Sequence, residues 1–370
     1  MGKESIRLRK VVLLSGALCA YWIGSGFATG QEVLQFFSVS GIKGIIAALI
    51  FLALTSYFTY SFFVLGYKKK FDNPYNVFEY YCGKILGQIY TWLSVLVIYI
   101  TFVVMLAGGG ATINQYFGVP PQVGIGVIAI LALGTALLGV NKLISIIGVL
   151  GPIKIIFITI IGITGVVSVF RQPALFTQAS RLMPNLGFHA ASSNWAWSGA
   201  LYAFLVLTIS VPFQITCGDS AKNVKEAKTA ALLATIAYTS VIILLVIAEV
   251  IYYKLIIGRQ VPLLAIASYI SPALGLIFSV IIVVCIYSAA SSSLLMTVRK
   301  FAADKTRKFN IIAIILTAFG ILFGGELPFD KMVNILYPLE GYSFILLAAF
   351  IICKQLKENI INSCVKKKIK

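Results

Sequence analysis

The stretch Cys19-Ala-Tyr-Trp-Ile-Gly-Ser-Gly-Phe-Ala-Thr-Gly-Gln-Glu-Val33 decides the reading of this chain. It lies within an apolar run over 11–36, long enough to cross a bilayer, which takes roughly 20 residues. Yet Gly24, Gly26 and Gly30, with Ser25 and Thr29, gather poor helix formers near its middle. An unwound turn at mid-membrane frees backbone N–H and C=O groups that protein, water or a ligand must satisfy. The half-helix that follows points its partial positive end at the gap, which suits a carboxylate. Gln31 and Glu32 come directly after, and polar groups at that depth are costly without a purpose. Close packing of helices through the glycines is the competing explanation.

Working outward, the surroundings are those of a membrane protein. Of 370 residues 59% are hydrophobic and only 11% charged, about half the charge of a soluble domain. Nine further apolar stretches fall near 43–67, 87–110, 123–140, 144–170, 196–217, 228–253, 273–298, 310–324 and 332–353. The net charge of +18 does not mark a nucleic-acid binder, because the basic residues sit at the ends of apolar runs. With the N-terminus in the cytoplasm, 23 of the 30 Lys and Arg fall inside. Outside fall Lys43, Arg171, Arg181, Lys254, Arg259 and Lys331, and Lys154 lies within a span. Both termini are therefore expected in the cytoplasm, with a basic tail over 354–370. The basic N-terminus is no cleaved signal, since its apolar run continues past Val33 without a small-residue cleavage site. The six cysteines form no CxxC pair and mostly lie in apolar runs, against disulfides or structural zinc.

The expected fold is thus all-α and integral to the membrane, one domain over 1–370 with about ten transmembrane helices. Five spans per half, 11–170 and 196–353, start from opposite faces, so any repeat is inverted. Short amphipathic stretches at 73–81 and 262–270 occupy equivalent places in the two halves. Span six then becomes the partner of span one. Its Pro212 removes a hydrogen bond, and Thr208, Ser210 and Gln214 are placed to satisfy released groups or contact a ligand. A plain proline kink is the alternative. Two broken helices, 1 and 6, at corresponding places point to a transporter site.

On these residues the chain resembles the YkvI-like bacterial membrane proteins of the amino acid–polyamine–organocation superfamily, with a LeuT-type fold. The resemblance is specific at Gly24-Ser-Gly-Phe-Ala-Thr-Gly-Gln-Glu32 and weaker on spans five and eight. It implies that backbone N–H groups at Ser25 and Gly26 receive a substrate carboxylate, with Gly24 at the break. It also implies a coupling-ion site built from the Ala20 and Ile23 carbonyls with Ala289, Ser292 and Ser293. These are hard oxygen ligands fit for Na+. In proton-coupled relatives a lysine on span five takes that place, and Lys154 lies some ~15 Å into its span at ~1.5 Å per residue. Sodium and a charged Lys154 would repel each other in one site. H+ is therefore slightly favoured over Na+, with snorkelling of Lys154 to the interface the alternative. Serines bonded within their own helix are the alternative for span eight.

Phe27, Tyr99 and Phe213 supply aromatic surface for an apolar side chain, with Phe102 competing with Tyr99. Glu32 is a candidate gate, and Glu249 is expected at the outer interface. An enzyme fits poorly: the one histidine, His189, is in a loop and there is no HExxH. The implied function is secondary transport of an amino acid or similar small solute by alternating access, in the bacterial plasma membrane, without a cofactor beyond a coupling ion. A ligand sensor using the same fold is the alternative, and a channel a third.

Overall fold

A computed structural model describes residues 6–138 and 140–368, with side chains over 6–138 and 155–358. The chain forms helices α1 (Leu8–Trp22), α2 (Ser25–Thr29), α3 (Gln31–Phe36), α4 (Lys43–Lys69) and α5 (Asn76–Phe117). There follow α6 (Pro121–Leu138), α7 (Val140–Arg171), α8 (Pro173–Leu182), α9 (Trp195–Asp219) and α10 (Val224–Ile251). The last are α11 (Tyr253–Ile256), α12 (Pro262–Ile270), α13 (Pro272–Arg299), α14 (Arg307–Glu326) and α15 (Phe329–Lys368). Among the described residues eight unbroken helices are long and apolar enough to cross a membrane. The helix α7 and the interrupted series α1–α3 complete the ten expected crossings.

Local chemistry starts these helices where the sequence allows. Asn194 accepts from the Ala196 and Trp197 N–H groups at the head of α9 (2.9 and 3.2 Å). Asn223 does the same for Glu226 in α10 (2.8 Å), and Thr306 for Phe309 in α14 (3.1 Å). Packing between α4 and α9 runs over glycines: a methyl group on Gly66 would strike the Ile215 carbonyl, and one on Gly199 the Ala47 carbonyl. Without a hydrophobic drive inside lipid, such close backbone approach is what holds helices together.

The two short amphipathic stretches lie at opposite ends of the bundle, as an inverted repeat requires. Residues 76–82 continue into α5 across Gly83, whose backbone (φ 77°, ψ 175°) separates them from the span. At the far end of α5, Gln115 exchanges hydrogen bonds with the Val261 backbone, just before α12 (2.8 and 3.0 Å). The N-terminal segment and the end of α15 share one end: Arg7 bonds Glu226, Lys228 lies over Tyr60, and Tyr57 donates to Gln355. The basic tail is no separate segment, because α15 runs on to Lys368.

Span six departs from expectation. Helix α9 is continuous through Pro212, so it is a proline-containing helix and not two half-helices. Tyr202–Cys217 contains no glycine, and the Tyr21 ring stacks flat on Phe213 beside the proline (4.4 Å). That packing offsets the one backbone bond a proline removes.

Candidate functional site

Span one is broken, and twice. Helix α1 stops at Trp22; Ile23 (φ −79°, ψ 84°) turns tightly so that the Gly24 N–H meets the Trp22 carbonyl, Gly24 (ψ −166°) is extended, and α2 starts at Ser25. Gly30 (φ 88°) then separates α2 from α3. Ser25 and Gly26 are already helical, so the first break lies one residue earlier than the glycine spacing indicated. Gly30 is needed twice over, for its left-handed φ and because a side chain there would meet Glu249 and Leu263 at 2.6 and 2.7 Å.

Every residue of α2 and α3 is buried. The Ser25 N–H donates to the Met105 thioether (3.3 Å), a weak acceptor. Ser25 Oγ faces the Tyr337 hydroxyl but makes no hydrogen bond of normal geometry. Two polar groups at the head of α2 are thus under-used in a buried place, where about 1–3 kcal/mol is forfeited per unsatisfied group.

The Glu32 carboxylate folds back over this half-helix. It packs on Gly26, reaches the Phe27 N–H, and accepts from Tyr202 Oη at 2.6 Å. Tyr202 Oη lies 2.8 Å from Tyr238 Oη, which in turn reaches the Trp22 carbonyl at 3.2 Å. The Trp22 indole donates to Ser210 Oγ (2.9 Å), which also takes Gln214 Nε2 (2.7 Å). A second carboxylate, Glu340 of α15, is 2% exposed; it has the Thr101 hydroxyl nearby but no hydrogen bond of normal geometry, and lies near enough to Glu32 to feel its charge.

The expected site residues divide. Gly24, Ser25, Gly26, Phe27 and Ser210 gather at the break, with Phe27 stacked on Tyr238 (4.7 Å). Tyr99 does not join them; its hydroxyl donates to the Leu316 carbonyl of α14 (2.9 Å), and Phe102 packs on Gly320 of the same helix. The span-three residue at the break is Met105, nearly two helical turns further on. Thr208 donates to the Phe204 carbonyl and lies 3.2 Å from the Glu340 carbonyl, while Pro212 and Phe213 face Tyr21. Ser292 donates to the Ser288 carbonyl of its own helix (2.8 Å), which leaves its oxygen lone pairs open. Helix α13, which carries Ala289, Ser292 and Ser293, packs on α2 just after the break. The Lys154 side chain lies outside the described residues. Glu249, near the end of α10, is fully buried and accepts from Ser38 Oγ at 2.6 Å.

Glu340, Tyr202, Tyr238 and Met105 escaped the sequence reading. For Glu340 a signal existed: a lone carboxylate within the apolar run 332–353. The tyrosines carried none, since aromatic residues are common throughout the spans.

No protein-family model matches the chain. It is 24% identical over 348 residues to the uncharacterised protein YyaD of Bacillus subtilis (strain 168), covering 90% of this chain and 92% of that protein. It is 22% identical over 345 residues to the uncharacterised membrane protein YkvI of the same organism, with the same coverage. Among solved structures it superposes on MhsT, crystallised with L-phenylalanine, at a TM-score of 0.56 and 17% identity, covering 92% of this chain and 88% of that one. The chain is a YkvI homologue with a LeuT-type fold. In that fold the double break of span one sits amid α5, α9, α10, α13 and α15, and the buried carboxylates lie on the same central elements.

Proposed function

We propose that the chain is a secondary active transporter that moves an amino acid or similar small solute by alternating access. The observation that carries this is the head of α2: a buried break whose Ser25 N–H is held by a thioether and whose Ser25 Oγ makes no hydrogen bond of normal geometry. A carboxylate of a bound solute would give both groups a far better acceptor. That Glu32 already rests on Gly26 and Phe27 supports the same chemistry, because a carboxylate fits this backbone. The solved neighbour MhsT, which holds L-phenylalanine in its crystal, lends support by fold. Coupling to a cation, H+ in preference to Na+, belongs to the same reading, because the buried Glu32 carboxylate beside the break offers a proton acceptor. The end carrying Arg7 and Lys354 faces the cytoplasm on this reading, following the distribution of Lys and Arg.

Uptake of a radiolabelled amino-acid panel into proteoliposomes tests the proposal. Saturable flux selective for one enantiomer is the expected result. Binding without flux would make the chain a sensor and overturn the transport reading.

A further inference from the structure

Three short contacts join Glu32 to the break: Tyr202 Oη to Glu32 Oε2 at 2.6 Å, Tyr202 Oη to Tyr238 Oη at 2.8 Å, and Tyr238 Oη to the Trp22 carbonyl at 3.2 Å. Each needs one hydrogen, yet the two hydroxyls together supply two. With Glu32 ionised, Tyr202 donates to it, and the single Tyr238 hydrogen must choose between Tyr202 and Trp22. A third hydrogen completes the chain only if it sits on Glu32. The order then reverses: Glu32 donates to Tyr202, Tyr202 to Tyr238, and Tyr238 to the Trp22 carbonyl. All four residues are buried, with Glu32 the most exposed at 5%, so water does not readily supply the missing hydrogen.

From this count we infer that Glu32 is a proton-binding site, and that its occupancy is relayed through Tyr202 and Tyr238 to the Trp22 carbonyl at the break in span one. One proton from the aqueous phase adds to Glu32 Oε2, and the two hydroxyl hydrogens shift by rotation; no other bond is made or broken. In the protonated state Tyr238 holds the Trp22 carbonyl, which also accepts from the Gly24 N–H (3.0 Å), and fixes the end of α1. In the ionised state Tyr238 is free to turn to Tyr202, and the carbonyl is released to a cationic group such as a substrate ammonium. Proton occupancy and a cation at Trp22 therefore oppose each other.

The groups facing Glu32 suit a proton site. Helix α9 brings Tyr202, α10 brings Tyr238, and α15 brings Tyr337 and Glu340, while Glu249 of α10 turns to Ser38 and Asp330 of α15 pairs with His189 (3.5 Å). These are phenols and acids, and Glu340 repels an ionised Glu32. That this proton is the coupling ion rests on the transport reading; that it binds does not.

The test uses pH-difference infrared spectroscopy of the full chain in liposomes. Alongside it, Trp22 emission is followed in a background carrying Trp92→Phe, Trp195→Phe and Trp197→Phe, because the Trp22 ring packs edge-on against Tyr238 (5.2 Å). The expected result is a carboxylic-acid C=O band that titrates, is lost in Glu32→Gln, and persists in Glu340→Gln. Trp22 emission should follow the same midpoint, and Tyr238→Phe should abolish that response while the band remains. Tyr202→Phe should shift the band and also uncouple the emission, which covers a poorly folded Glu32→Gln. A band unchanged in Glu32→Gln, or emission that titrates equally in Tyr238→Phe, would overturn the inference. A chain showing the band and the linked emission but moving no solute would keep this site and remove the transport reading.

Discussion

Gly26 has no room for a side chain because the Glu32 carboxylate lies where its Cβ would be. The Gly26→Ala variant should therefore push Glu32 off α2 and lose about 1–3 kcal/mol of stability, seen as a lower melting temperature in detergent. An unchanged melting temperature would show that Glu32 does not rest there. Glu340 presents the opposite case. Its two oxygens are buried beside a second carboxylate, with the Thr101 hydroxyl near but donating to the Val97 carbonyl. Removing a buried charge that lacks partners is neutral or favourable, so Glu340→Gln should melt at or above the parent temperature. At this scale the sequence was legible for glycines and acids, whose presence in an apolar run is anomalous in itself. It was not legible for Met105 or Tyr238, which are ordinary membrane residues until tertiary packing sets them against the break. The reading of Tyr99 failed for a related reason: α5 is long and featureless, and only its contact with Leu316 fixes its rotation.

Helices α1–α3 and α9 show how local chemistry and packing divide control. Span one carries three glycines within seven residues and breaks at Ile23-Gly24 and again at Gly30. Span six carries one proline and no glycine nearby, and it stays helical because a single missing bond is offset by the contacts of Tyr21 and Phe213. Span six shares the topology of span one but not its unwinding, because symmetry of topology does not oblige symmetry of unwinding. Helix α5 offers a cleaner test of backbone control. Gly83 adopts φ 77°, ψ 175° with no atom within 4 Å of an added Cβ. Gly83→Ala should thus register backbone strain alone, about 1–3 kcal/mol, measured by thermal unfolding. At the other chain end, Arg7 Nε and Nη2 grip the Glu226 carboxylate at 2.9 and 3.0 Å and tie the start of α1 to α10. Loss of that clasp in Arg7→Ala should speed amide exchange over residues 8–22 while the exchange of α9 is unchanged.

Taken whole, the molecule was legible in outline from hydropathy and charge. Ten crossings, the short helices at opposite bundle ends and the broken first span all follow from residues that lipid punishes or tolerates. The coupling chemistry was not legible. Ser292 and Ser293 fit a sodium pattern by spacing, and Ser292 donates within α13 with its lone pairs open. The polar centre at the break assembles from Glu32, Tyr202, Tyr238 and Glu340, residues 32 to 340 in sequence and brought together only by the bundle. Its position against the break is what joins solute and proton in this account. The most direct test supplies proteoliposomes with the solute found in the uptake panel and imposes a proton gradient, acid inside, without sodium, since proton and solute oppose each other at Trp22. The account predicts accumulation above the equilibrium level that collapses with a protonophore and is lost in Glu32→Gln. Accumulation driven equally well by a sodium gradient alone, or unaltered in Glu32→Gln, would contradict it.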